Sequence, residues 1–135
     1  MPFDPSDVVV SAHSQGTIIA TAALLQIPEA HHVALATYGC PLRRLYSLYF
    51  PAYFSVTTLD ALFARVHDCW RNLYRKTDPI GGPVELPGVD VLVEIPMQRP
   101  PGDTVYPPIE NHSNYTKEPL YKTALDTLEG CAARQ

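Results

Sequence analysis

At 135 residues, 46% of them hydrophobic and 18% charged, the chain has the length and apolar content for one packed domain and is too apolar for wholesale disorder. A net charge of −4 argues against a nucleic-acid binder, which would show a basic face. The longest apolar stretch, residues 18–27, is too short to cross a bilayer, and Met1-Pro2-Phe3-Asp4-Pro5 offers neither the basic segment nor the apolar core of a secretory signal.

In chain order, Asp7–Ala12 reads as a short buried β-strand, β-branched and bounded by Pro5. Thr17–Ile27 reads as a helix stopped before Pro28; its apolar residues cover most of the circumference, which predicts burial on all sides. His32–Tyr38 is a second strand, closed by Gly39-Cys40-Pro41. Leu42–Ser55 is rich in aromatics and has no clean period. Leu59–Val66 is a helix, Cys69–Lys76 a strand, and 78–83 a loop. Val89–Ile95 is a short strand ended by Pro96, and Arg99–Tyr115 is a long Pro-rich connection. Thr116–Ala133 is the last helix, with Leu120, Ala124, Leu125 and Leu128 as its apolar stripe. Apolar strands alternating with helices predict an α/β fold of about four mainly parallel strands with helices on both faces.

The three cysteines, Cys40, Cys69 and Cys131, are too few and too odd in number for a disulfide framework. Unpaired thiols in a reducing compartment are expected, and with them a cytoplasmic place or one on the cytoplasmic face of a membrane. Cys40 lacks a helix N-terminus to activate its thiol and reads as a buried or rim residue. His67-Asp68-Cys69 has no second pair to complete a tetrahedral set, so neither metal nor other cofactor is expected.

The residues that could carry chemistry begin at Ala12-His13-Ser14-Gln15-Gly16, between a strand and a helix. A serine there, with small residues two before and two after, fits a nucleophile elbow, a turn so sharp that larger side chains would collide across it. Such a turn lifts the Ser14 hydroxyl above the sheet and points the Gln15 N–H at a developing oxyanion. Alternatively, Ser14 caps the helix. A serine needs a base, and the base needs an acid to fix its tautomer. Asp78, after the third strand, and His112, before the last helix, follow Ser14 in the order serine, acid, histidine. Asp90 is the rival acid but lies at a strand start, the opposite rim; Asp78 could equally be a turn aspartate before proline. His13 is expected to pack beside the nucleophile, His31 and His32 at the surface, and His67 at a helix end. Asp60 and Asp68 read as capping or solvated residues. Tyr46, Tyr49, Phe50, Tyr53 and Phe54, beside Arg43 and Arg44, read as a partly buried connection or as a lid or interfacial patch suited to a membrane surface.

The elbow, the Tyr38-Gly39-Cys40-Pro41 strand exit, the run from Asn72 through Asp78-Pro79-Ile80-Gly81-Gly82, and His112-Ser113-Asn114-Tyr115 together resemble the C-terminal half of an α/β-hydrolase of the lipase and esterase type. The resemblance spans nearly the whole chain. It implies Ser14 as nucleophile, His112 as base and Asp78 as acid, acting on a carboxylic ester, with lipid esters among the candidates. It also implies that strands preceding the elbow, and the loop giving a second oxyanion donor, come from an upstream segment or a partner chain. Loss of one such donor costs about 2.7–4 kcal/mol of transition-state stabilisation. A hydrolase-like module without turnover, in a larger and membrane-attached protein, is the alternative.

Overall fold

The computed structural model describes residues 7–27, 32–93 and 109–135. Four parallel strands form one sheet in the order β1-β2-β3-β4: β1 (Asp7–His13), β2 (His32–Tyr38), β3 (Trp70–Tyr74) and β4 (Asp90–Leu92). The α/β architecture expected from the alternation of elements is therefore present. Val33 and Leu35 point to one face of β2, Ala34 and Ala36 to the other, and all four are buried. On the first face α1 (Gln15–Gln26) and α3 (Val56–Arg65) close a core of Leu24, Leu59, Leu62 and Trp70. On the second, α4 (Pro119–Ala132) lays Ala124, Leu128 and Ala132 over the sheet. The alanines of β2 are what allow α4 to approach.

Several element boundaries moved for identifiable reasons. α1 begins at Gln15, two residues earlier than Thr17, because Ser14 turns the chain directly into the helix. α3 begins at Val56 rather than Leu59: Ser55 accepts from the Thr58 N–H while Thr58 Oγ1 accepts from the Ser55 N–H, and this capping box outweighs the β-branched first turn. α4 begins at Pro119 rather than Thr116. The residue before a proline is pushed out of helical space, and Glu118 accordingly sits at φ −77, ψ 137. Residues 42–46 form a π-helical turn followed by the short helix α2 (Ser47–Tyr49). β4 ends at Leu92, and 94–108 lie outside the described residues.

Four expectations are corrected. First, α1 is not buried all round. Thr17, Thr21 and Leu24 form its buried stripe, the two threonines satisfied by bonds to Ser14 O and Thr17 O, while Ile19 is 67% exposed. Only one side of the helix meets the sheet and α3. Second, β1 is not fully buried: among the described residues it is the sheet edge that the absence of earlier strands implies, pairing with β2, and Val8 is exposed. Third, Leu120 leaves the α4 stripe for solvent, since a helix that starts at Pro119 turns its first residues away from the sheet. Fourth, Cys69 and Cys131 form a disulfide, their Cα atoms 5.8 Å apart. Sequence distance hid a pair that α4 brings beside the start of β3. The bond removes the ground for a reducing compartment, and it withdraws Cys69 from the His67-Asp68-Cys69 pattern. Cys40 is the buried free thiol, its pKa pushed up to about 11 by burial. Among the described residues no helix is long and apolar enough to cross a membrane.

Leu128→Ala is expected to lower unfolding free energy by about 2–5 kcal/mol, as for a fully buried leucine. Leu120→Ala should change it by no more than about 0.5 kcal/mol. Urea midpoints of the two variants measure the contrast; equal losses would restore Leu120 to the core.

Candidate active site

Three parallel strands end on one rim, and the chain segments leaving them meet there. Ser14 follows β1 with φ 55 and ψ −125, a left-handed backbone for a residue with a Cβ. Such a conformation costs on the order of 1–3 kcal/mol and persists only where the surroundings impose it. Here the Ser14 N–H donates to Tyr38 O at 3.1 Å, tying the turn to the end of β2. The Ser14 hydroxyl makes no capping bond to α1. It lies 2.7 Å from His112 Nε2 instead.

His112 Nδ1–H donates to Asp78, 3.0 Å from Oδ1 and 3.1 Å from Oδ2. A carboxylate accepts only, so this bond puts the imidazole proton on Nδ1 and leaves the Nε2 lone pair facing the serine. Asp78 is 1% exposed. Its Oδ1 also accepts from the backbone N–H groups of Ile80 and Gly81, each at 2.8 Å, and Oδ2 accepts from the Tyr115 hydroxyl at 2.7 Å. Burial alone would raise the Asp78 pKa. The bonds from Tyr115, Gly81, Ile80 and His112 outweigh it and hold the carboxyl below its ordinary value. Burial and the adjacent carboxylate push the Tyr115 hydroxyl up, so it remains a donor.

The three predicted residues Ser14, Asp78 and His112 thus form one hydrogen-bonded line. Asp90 does not join it. Its carboxylate accepts from Asn72 Nδ2 and from the Val84 and Glu85 N–H groups, holding the loop before β4. Gln15, first residue of α1, carries an N–H without an intrahelical acceptor. His13 does pack beside Ser14's partner: its Nε2–H donates to His112 O at 2.6 Å, and its ring stacks on Tyr38 at 5.2 Å. Ala12 is buried, as a tight turn requires. Gly16 departs from the expectation, because a Cβ there would meet nothing within 4 Å. The backbone demand of the turn falls on Ser14 itself. His32 is exposed and bonded to Asp7, His67 lies exposed past the end of α3, and His31 is outside the described residues. Asp60 and Asp68 are exposed.

The sequence reading missed the residues that align the line. Gly39, at φ +57, lies under the imidazole: a Cβ would come within 2.9 Å of His112 Cε1 and 3.0 Å of His13 Nε2. Gly81 presses backbone to backbone on Gly39, where a Cβ would fall 2.3 Å from the Gly39 carbonyl carbon. Arg75 is 3% exposed and joins the acid loop to the base loop. Its carbonyl accepts the Asp78 N–H, while its guanidinium donates to Asn111 O at 3.2 Å, Ser113 O at 2.5 Å and Glu118 Oε1 at 2.8 Å. Arg75 also stacks 4.2 Å over the Tyr115 ring. Arg44 braces the acid loop from outside through Asp78 O and Gly81 O. A cation three residues before an aspartate gives no sequence signal of such a role.

The aromatic segment divides. Half-buried Tyr46 packs its ring against Phe50 and half-buried Phe54, whereas Tyr49, Phe50 and Tyr53 are exposed. Arg43 and Arg44 turn toward the loop at 78–85, pairing with Glu85 and with the Asp78 and Gly81 carbonyls, so they are not free to flank the aromatics.

Comparison with protein-family models, curated proteins and solved structures finds no match to this chain.

Two outcomes are expected. Gly39→Ala should displace the imidazole and abolish the low-field His112 Nδ1–H proton resonance. Gly88→Ala, also at positive φ (74) but with open space around it, should keep that resonance while losing about 1–2 kcal/mol of stability. The second concerns pH. A carboxyl held below its ordinary pKa stabilises the fold at pH above the unfolded value of about 3.9 and ceases to do so as pH falls through the folded value. Tyr115→Phe removes one donor and raises the Asp78 pKa, so acid-induced loss of stability should begin at higher pH in that variant, read by denaturant titrations from neutral to acidic pH.

Proposed function

We propose that the chain is a serine hydrolase of the α/β-hydrolase type, acting on carboxylic esters. The observation that carries this reading is the unbroken line from Ser14 Oγ through the His112 imidazole to buried Asp78, with the serine backbone at φ 55. In the proposed reaction His112 Nε2 takes the Ser14 proton as Oγ bonds to the ester carbonyl carbon. The Gln15 N–H donates to the resulting oxyanion, and His112 returns the proton to the leaving alcohol as the acyl-enzyme forms. Water, deprotonated by the same nitrogen, then releases the acid and restores Ser14. Asp78 stays ionised throughout and stabilises the imidazolium.

A second reading, a hydrolase-like module without turnover, is favoured by one observation. Beyond Gln15 no second loop of the described residues offers an oxyanion donor, and among those residues nothing pairs on the outer side of β1. The free edge supports the inference that a further strand, from upstream sequence or a partner, pairs there and brings the second donor. Exposed Tyr49, Phe50 and Tyr53 support an interfacial patch for lipid esters.

A fluorophosphonate probe is expected to label the chain, and Ser14→Ala to abolish labelling. Asp78→Asn should lower p-nitrophenyl butyrate turnover by about 10⁴. Labelling that survives Ser14→Ala would overturn the hydrolase reading. Labelling without ester turnover would favour the module.

A further inference from the structure

Away from the Ser14 line, positive charge gathers in one place. A cavity of about 430 Å³ lies between the π-helical turn after β2 and the segments at 74–76 and 81–85. Arg43, Arg44, Arg75 and Lys76 line it, with Glu85 as the acidic neighbour. These are four of the ten cationic side chains of a chain whose net charge is −4. A concave wall of one sign focuses the field and draws in ions of the other.

Donors in this wall are left over. Arg75 commits its two terminal nitrogens to Asn111, Ser113 and Glu118, and its Nε is sealed from solvent, so it adds positive charge behind the wall rather than a donor in it. Arg44 uses Nη1 on two carbonyls, and its other N–H groups make no bond among the described residues. Lys76 is exposed and has no hydrogen bond or ion pair among the described residues. Arg43 Nε pairs with Glu85 at 2.9 Å. Glu85 sits at φ 59, held there as Asp90 accepts its N–H, and its carboxylate covers the face of Arg43 that an incoming anion would take.

We propose that this cavity binds a phosphate-type oxyanion, held by Arg44 and Lys76 in the field of buried Arg75, with Arg43 joining them as Glu85 gives way. The forked guanidinium suits the paired oxygens of such a group. The volume admits the free ion or a phosphate carried on a larger ester. The site does not depend on the reading of Ser14, since binding is measured without turnover.

Isothermal titration of the whole chain with inorganic phosphate, at ionic strength held constant with chloride, tests it. Saturable binding is expected, weakened about tenfold or more by Lys76→Gln, which removes one charge-assisted bond, and tightened several-fold by Glu85→Gln, which removes the competing carboxylate. Both positions are exposed, and thermal melts without phosphate confirm that each variant is folded. No saturable heat in the wild type, or the same affinity in both variants, would overturn the proposal. A short-chain phosphatidate below its micelle concentration distinguishes the source: tighter displacement of phosphate points to an ester-borne group, equal or weaker displacement to the free ion, and either result upholds the oxyanion site.

Discussion

Asp78 holds a carboxylate where almost no solvent reaches, and the rim of the sheet is arranged around meeting that charge. An ion so placed is tolerable only with donors on every side. Four supply them: two backbone N–H groups of its own loop, the Tyr115 hydroxyl and the His112 imidazole. The first two fold the loop at 78–81 into one shape. The other two come from the segment before α4 and bring His112 to the serine. Without the carboxylate, Tyr115 and the imidazole Nδ1–H would be buried donors lacking an acceptor, and the segment would be held by Arg75 and His13 alone. The Asp78 carboxylate thus helps to position the His112 imidazole.

Much of the architecture could be read from the residues because periodicity and punctuation agree. The run Val33–Tyr38, buried on both faces, and the strand-to-helix change around Ser14 are both visible as sequence patterns. The three site residues could be found from their order and their positions at strand ends. What could not be read depends on packing between segments distant in sequence. Nothing in Tyr74-Arg75-Lys76 tells that Arg75 reaches 36 and 38 residues forward to the carbonyls on either side of His112. Gly39 and Gly81 look like ordinary loop glycines until the two backbones are seen in contact. The disulfide was hidden for the same reason, its cysteines being 62 residues apart. The apolar character of α1 misled in the other direction: hydrophobicity states what a helix could bury, and the number of faces covered depends on what else is present. Ile19 and Val8 stay exposed, and among the described residues no strand covers the outer side of β1.

The two functional proposals share structural parts. Arg44 and Arg75 line the cationic cavity and also brace the loops that bear Asp78 and His112. An anion settling on the unused N–H groups of Arg44 would find that guanidinium already oriented by bonds to backbone carbonyls. It would meet a preorganised site and lose little side-chain freedom on binding. The aromatic segment lies next to this cavity in sequence, and its arginines face the cavity loop rather than the exposed rings.

The Cys69–Cys131 bond acquires a further meaning from the directions of the elements it joins. β3 runs from Cys69 toward the rim, and α4 runs back from the rim to Cys131. At the rim the same two elements are linked again by Arg75 and Glu118. Strand and helix are thus the uprights of a ladder with a covalent lower rung and an ionic upper one. Sliding of α4 along the sheet would have to stretch both. Asp78 stands just above the top of one upright and His112 just above the top of the other, so their separation is held by a frame whose covalent joint lies at the opposite end of the strand.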